Sequence, residues 1–282
     1  MRYITLIDTS ALAASLGDPS LAIVDCRFDL KDTGAGERAY EAAHIPGAVY
    51  AHLDRDLSGA KSGTNGRHPL PEIQMFADTL GRLGIDASRQ VVVYDHDSGG
   101  FASRLWWMLR WLGHDGVALL NGGFAKWTAE GRPTTPGVEA RTPRVFVPHL
   151  QPQMVATASD VARFVGNPDW RLLDARAPER FRGEVEPVDK VAGHIPGAVN
   201  VPFLENLDES GTFKPATDLA ARFQKASGST PADHVVVYCG SGVTACQNLL
   251  AMEHAGLHGA KLYPGSWSEW SSDPSRPMKR SK

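Results

Sequence analysis

Four short segments of this chain occur twice, in the same order. His44-Ile45-Pro46-Gly47-Ala48 recurs as His194-Ile195-Pro196-Gly197-Ala198, and Ile23-Val24-Asp25-Cys26-Arg27 as Leu172-Leu173-Asp174-Ala175-Arg176. Val91-Val92-Val93-Tyr94-Asp95 recurs as Val235-Val236-Val237-Tyr238-Cys239, and Gly122-Gly123-Phe124-Ala125-Lys126-Trp127 is matched by Gly265-Ser266-Trp267-Ser268-Glu269-Trp270. The copies lie about half the chain apart, so the repeating unit is a domain and not the short period of a solenoid. A chain of 282 residues has room for two ordinary domains. The boundaries read as 1–135 for the first, 136–156 for a linker and 157–282 for the second. The stretch 132–157 is rich in proline and threonine, which predicts a semi-rigid surface linker.

Each half alternates short β-branched runs with amphipathic segments. That alternation predicts an α/β fold, a parallel sheet flanked by helices. In the first half strands are expected near 22–27, 48–52, 90–95 and 117–120, with helices near 10–16, 72–84, 101–113 and 124–130. The 101–113 segment carries Leu105, Met108, Leu109 and Leu112 at helical spacing. Trp106, Trp107 and Trp111 widen that stripe and are expected to pack in a core or interface.

The bulk numbers exclude several classes. A net charge of −3 gives no strong pull toward nucleic acid or anionic membrane. No apolar stretch approaches a membrane span, and Asp8 comes too early for a secretory leader. Three cysteines, Cys26, Cys239 and Cys246, make no disulfide framework and fit a reducing, cytoplasmic setting. No Cys/His cluster has zinc-ligand spacing, and no metal or other cofactor is implied.

Cys239 ends the run Val235–Tyr238, and Gly240, Ser241, Gly242, Val243 and Thr244 follow before a helical pattern begins. A cysteine between a strand end and a helix start meets the positive end of the helix dipole and several free backbone N–H groups. Both favour the thiolate, which is the nucleophile. The loop Cys239-Gly240-Ser241-Gly242-Val243-Thr244-Ala245 resembles the active-site loop of the rhodanese-type sulfurtransferases. Its wording is most similar to the 3-mercaptopyruvate sulfurtransferases. The thiosulfate-preferring members typically carry basic residues where this chain has Gly240 and Ser241. The resemblance runs over nearly the whole chain and implies tandem rhodanese-like domains, with a persulfide formed on Cys239.

The first copy has Asp95 where the second has Cys239, so it cannot form a persulfide there. Its domain is expected to be the catalytically inactive partner. An aspartate-based chemistry at Asp95 has no accompanying phosphate or metal motif. The first copy is a few residues longer between its His-Ile-Pro-Gly-Ala motif and the strand end. That segment holds Asp54 and Arg67-His68-Pro69-Leu70-Pro71. In the mercaptopyruvate enzymes an aspartate ten residues after the motif histidine and a histidine before Leu-Pro are proposed to join the loop serine in a relay. The resemblance carries those roles to Asp54, His68 and Ser241. A histidine suits the work, because a proton must leave the donor thiol and another must reach the leaving enolate. The first half would then contribute function although it lacks the thiol. His44 and His194 read as structural loop residues.

An α-keto carboxylate donor calls for an arginine fork. Arg180 matches the family's Arg-Phe substrate arginine. The family's second arginine, in a Glu-Pro-Arg triplet, is replaced here by Val188 in Glu186-Pro187-Val188. Arg182 is the available substitute, with a solvated surface arginine as the competing reading. The resemblance also makes Gly240, Gly242, Val243 and Thr244 substrate-loop residues. Arg176, beside Asp174, reads as half of a structural ion pair, and Cys246 as a packed helix cysteine.

The expected function is transfer of a sulfane sulfur from 3-mercaptopyruvate to a thiol such as a thioredoxin or glutathione, or to cyanide, through a Cys239 persulfide. The alternatives are a thiosulfate:cyanide sulfurtransferase and, of another class, a non-catalytic rhodanese-like binding module, which usually loses the cysteine from every copy. Phosphatases of the same fold need a Cys-x5-Arg loop, and the sixth residue after Cys239 is Ala245.

Overall fold

In the computed structural model, which describes residues 2–281, the chain forms two compact units. One gathers the chain up to Gly59, then Pro71–Gln151 and Leu207–Phe213. The other gathers Ala60–Leu70, Pro152–Asn206 and the chain from Lys214 onward.

In the first unit five strands, β1 (Leu6–Ile7), β2 (Leu21–Asp25), β3 (Ala48–Tyr50), β4 (Gln90–Tyr94) and β5 (Val117–Leu120), form one sheet in the order β1-β5-β4-β2-β3. Every pairing is parallel. The helices are α1 (Thr9–Ala14), α2 (Ala35–Ala42), α3 (Ile73–Arg82), α4 (Ala102–Trp111) and α5 (Gly123–Ala129). Strands β2 and β5 are buried along their whole length, as expected of a parallel sheet covered on both faces. The apolar stripe expected for 101–113 is broader than a stripe. All residues of α4 but Arg110 are buried, Ser103 and Arg104 included. Trp107 and Trp111 stack at 5.8 Å, and the Trp106 indole N–H donates to the Ile4 carbonyl. These tryptophans are packing residues. The short β1 and α2 have no counterpart in the sequence reading. The first is two residues long, and the second buries only Gly36 and Tyr40, too few to show a period.

The second unit repeats the plan with less. Strands β6 (Arg171–Asp174), β7 (Val199–Asn200), β8 (Val235–Tyr238) and β9 (Lys261–Leu262) form a parallel sheet in the order β7-β6-β8-β9. A single parallel bridge, Val155 to Leu262, stands where β1 pairs with β5 in the first unit. The helices are α6 (Ala158–Phe164), α7 (Pro178–Arg182), α8 (Ala216–Ser227), α9 (Ala245–His254) and α10 (Ser266–Trp270).

The repeated motifs do the same local work twice. His44 Nδ1 lies 2.8 Å from the Tyr40 carbonyl and His194 Nδ1 lies 2.7 Å from the Phe181 carbonyl, each ring stacked on that aromatic. Arg27 grips Asp25 and donates to the Ala43 carbonyl; Arg176 grips Asp174 and donates to the Gly193 carbonyl. The Tyr94 and Tyr238 hydroxyls accept the N–H groups of Ile45 and Ile195. Buried charges held in such closed pairs hold their neighbours in register. The proline-rich stretch is strapped along the first unit. Arg144, His149 and Gln151 donate backbone N–H groups to the carbonyls of Gly81, Leu112 and Trp111.

Candidate active site

Cys239 stands at the carboxyl end of β8, the edge of a parallel sheet where ligands commonly bind. It is buried, as are Gly240, Ser241, Gly242 and Val243. Its N–H donates to Ser266 Oγ at 3.1 Å, and its carbonyl accepts the Trp267 N–H at 3.0 Å. Burial by itself would push the thiol up. The Thr244 side chain and the N–H groups of Ser241, Ala245 and Val243 oppose that and prevail, so the thiol lies below its ordinary value. Hydrogen-bond donors directed at the sulfur at the start of α9 favour the charged form. Gly242 permits this curl: it has φ +72°, and a Cβ there would run into the Pro264 carbonyl.

Ser266 is a site residue that the sequence reading passed over. It is the one non-glycine with positive φ, +54°, among the described residues. Its counterpart is Gly123, at φ +60°. A side chain in that conformation costs on the order of 1 kcal/mol or more. Here its hydroxyl accepts the Cys239 N–H and donates to the Tyr263 carbonyl at 2.9 Å. The signal available in the sequence was the change from Gly-Gly to Gly-Ser between the copies.

His68 comes from the Ala60–Leu70 segment, which belongs to the second unit although it lies in the first half of the sequence. The Arg67 N–H donates to Ser268 Oγ at 3.1 Å and anchors the segment. His68 is 4% exposed, and its Nδ1 lies 2.7 Å from Ser241 Oγ. Two residues after Cys239, that hydroxyl joins a buried imidazole to the thiolate loop. Asp54 belongs to the first unit, where it is half-buried and its N–H donates to His52 Nδ1 at 3.1 Å.

Arg180, on α7, is held by Glu186 at 2.6 Å and lies 3.5 Å from Asp189. Burial works against the Glu186 charge, but the Arg180 hydrogen bond and charge, together with the N–H groups of Asp189 and Val188, outweigh it and the carboxyl is lowered. Burial raises the Asp189 carboxyl, with Arg67 opposing and Glu186 adding to the rise. Arg67 pairs with Asp189. A Cβ built on Gly240 would lie 2.8 Å from Arg67 Nη2 and 3.6 Å from both terminal nitrogens of Arg180. Two guanidinium groups therefore stand over the residue next to the nucleophile. The sequence reading named only Arg180 of these two, although Arg67 adjoins His68. Arg182 is not brought there; it closes an exposed pair with Glu184 at 2.7 Å. Cys246, in the first turn of α9, is fully buried and its Sγ lies 3.4 Å from the Gly242 carbonyl.

In the first unit the matching loop is occupied by its own side chain. The Asp95 carboxylate accepts N–H groups from Gly99, Phe101 and Ala102 at 2.9, 2.8 and 3.0 Å. The rest of the pattern is kept: the Asp95 carbonyl accepts the Phe124 N–H at 2.9 Å, as the Cys239 carbonyl accepts that of Trp267.

The family model of the Rhodanese-like domain matches residues 8–130 and 157–273, one match for each copy. A probable 3-mercaptopyruvate sulfurtransferase of Pseudomonas aeruginosa is 48% identical over 99% of both chains. A putative thiosulfate sulfurtransferase of Mycobacterium tuberculosis is 42% identical over 98% of this chain and 96% of its own. Among solved structures, the rhodanese-fold 3-mercaptopyruvate sulfotransferase of Escherichia coli is similar with a TM-score of 0.82 at 32% identity, covering 94% of this chain and 99% of the other. This chain belongs to the rhodanese family. With two complete copies and one cysteine-bearing loop, it is a sulfurtransferase of the two-domain kind.

Proposed function

We propose that the protein takes sulfur from 3-mercaptopyruvate, with Cys239 as nucleophile and Ser241 and His68 as proton carriers. The observation that carries this reading is the buried His68–Ser241 contact of 2.7 Å beside a thiol lowered by its loop. The thiolate attacks the donor sulfur, an S–S bond forms and the C–S bond breaks. Its electron pair leaves on the enolate of pyruvate. The thiol proton of the donor passes to that enolate, leaving a persulfide anion on Cys239 and neutral methyl ketone chemistry in the product. Ser241 and His68 provide a path for that proton. The loop N–H groups that favour the thiolate also favour the persulfide anion. An acceptor thiol, such as that of a thioredoxin or glutathione, then removes the outer sulfur and restores the thiolate. Three free cysteines suit a reducing, cytoplasmic setting.

Thiosulfate is the second reading, supported by the names of several relatives. Its sulfite leaving group needs no protonation, so it would leave the His68–Ser241 contact without work. Charge also bears on the choice. Arg67 and Arg180 stand over Gly240 with the carboxylates of Glu186 and Asp189 against them. Two cations offset by two anions suit a monoanion better than a dianion. The test is steady-state comparison with one acceptor. The expected kcat/KM for mercaptopyruvate exceeds that for thiosulfate by at least about tenfold, or about 1.4 kcal/mol. A ratio at or below one reverses the assignment.

A further inference from the structure

Val188 leaves this chain without an arginine at the place where the family resemblance sets the second substrate clamp. Its side chain is exposed, and its backbone N–H serves Glu186 at 3.1 Å. The other candidate from the same stretch, Arg182, faces Glu184 in solvent. Yet a second guanidinium does stand at the loop, delivered by a different segment. Arg67 directs Nη1 to Asp189 and Nη2 toward Gly240, where it comes closer than either nitrogen of Arg180. Asp189 reaches both arginines. One carboxylate between two forks fixes their spacing, which is how a polar clamp is prepared before the ligand arrives.

The geometry suits a small keto acid. Sulfur and carboxylate carbon of such a donor are about 4 Å apart, close to the step of about 3.8 Å between consecutive Cα atoms. A donor with its sulfur at Cys239 is therefore long enough for its carboxylate to reach the guanidinium groups beside Gly240. Gly240 has no side chain, which lets the Arg67 guanidinium approach the loop this closely. Arg67 is also chained to the proton-carrying segment, since His68 is the next residue. The same segment then grips the donor and handles its proton.

We propose that Arg67, acting with Arg180, binds the carboxylate of the sulfur donor and so supplies the second arginine that Val188 does not. This rests on the donor reading above for its substrate, but the anion clamp itself can be probed without that donor. Iodoacetate and iodoacetamide alkylate the Cys239 thiolate by the same step, in which an S–C bond forms and iodide leaves. They differ in that iodoacetate carries a carboxylate. The full-length protein and Arg67→Gln are compared by the ratio of the two alkylation rates at Cys239, normalised to glutathione. The expected result is a ratio lowered about tenfold in Arg67→Gln, with the iodoacetamide rate within about twofold of wild type. Arg67→Lys keeps the charge and the Asp189 partner, and is expected to restore most of the ratio. It should still raise KM for mercaptopyruvate about tenfold with kcat little changed, because the planar fork is lost. An unchanged ratio in Arg67→Gln overturns the proposal. Should that variant fail to fold, a wild-type KM in Arg67→Lys overturns it equally. A wild-type protein that takes no sulfur from mercaptopyruvate, while the ratio still falls in Arg67→Gln, contradicts the donor assignment and upholds the clamp.

Discussion

The loops after β4 and β8 are built alike and hold different side chains. In the first copy the cradle of backbone N–H groups is filled by the carboxylate of Asp95, tied to Gly99, Phe101 and Ala102. In the second, the groups around Cys239 are the Thr244 side chain and the N–H groups of Ser241, Val243 and Ala245. A carboxylate so bound is an end state: it closes the loop and has no bond to make. A sulfur in the same setting has its thiol lowered, and it is polarisable and able to carry a second sulfur. The cradle is thus a property of the repeated fold, and the chemistry is a property of one atom placed in it.

The accessory residues sharpen the contrast. Gly123 in the first copy becomes Ser266 in the second, accepting a strained backbone in order to hold the Cys239 N–H. Ser241 meets His68, and Gly240 lies under Arg67 and Arg180. Cys26 provides a further control, at the carboxyl end of β2. Burial pushes its thiol far up, with Asp25, Asp95 and Asp56 adding to the rise.

The widest gap expected between these settings is between the two cysteines. Alkylation of Cys239 by iodoacetamide should rise with pH and level off below the ordinary thiol range, because its thiol is lowered. Cys26, raised and buried, should stay unreactive across the same range, slower by a factor on the order of 10³ or more. Site-resolved peptide mapping after timed labelling reads both rates. Equal rates would remove the electrostatic distinction on which the comparison rests. A smaller effect is expected at the relay. His68→Ala should slow mercaptopyruvate turnover by a factor on the order of 10², with a smaller loss for thiosulfate. Equal losses with both donors would make His68 a packing residue, and full activity would leave it no role in turnover.

Much of this contrast was legible in the sequence, because tandem copies act as an internal comparison. The pairing of Asp95 with Cys239 and of His44 with His194 follows from motif order alone. The apolar runs of β4 and β8 are β-branched and uninterrupted, so both strands could be read. What was not legible depends on distant parts of the chain meeting. Arg67 and Gly240 are far apart in sequence, and neither residue type marks the other. Ser266 shows its meaning only through its φ and its hydrogen bond to Cys239. Arg180 could be read as a substrate arginine, but whether Arg182 joins it could not: a five-residue helix sends Arg180 to Glu186 and Arg182 to Glu184 in solvent. The all-round burial of α4 likewise reflects packing that periodicity cannot reveal.

The most direct test is to locate the transferred sulfur. Wild type, Cys239→Ser and the double variant Cys239→Ser with Asp95→Cys are each incubated with mercaptopyruvate, and intact mass and peptide fragments are read without reductant. The account predicts a gain of about 32 Da on Cys239 in wild type and none in Cys239→Ser. It also predicts none in the double variant, whose first-copy loop gains a thiol but carries Asp97 at the place of Ser241. Sulfur on Cys26 or Cys246 in place of Cys239, or sulfur uptake by the Asp95→Cys loop at the wild-type rate, would contradict it.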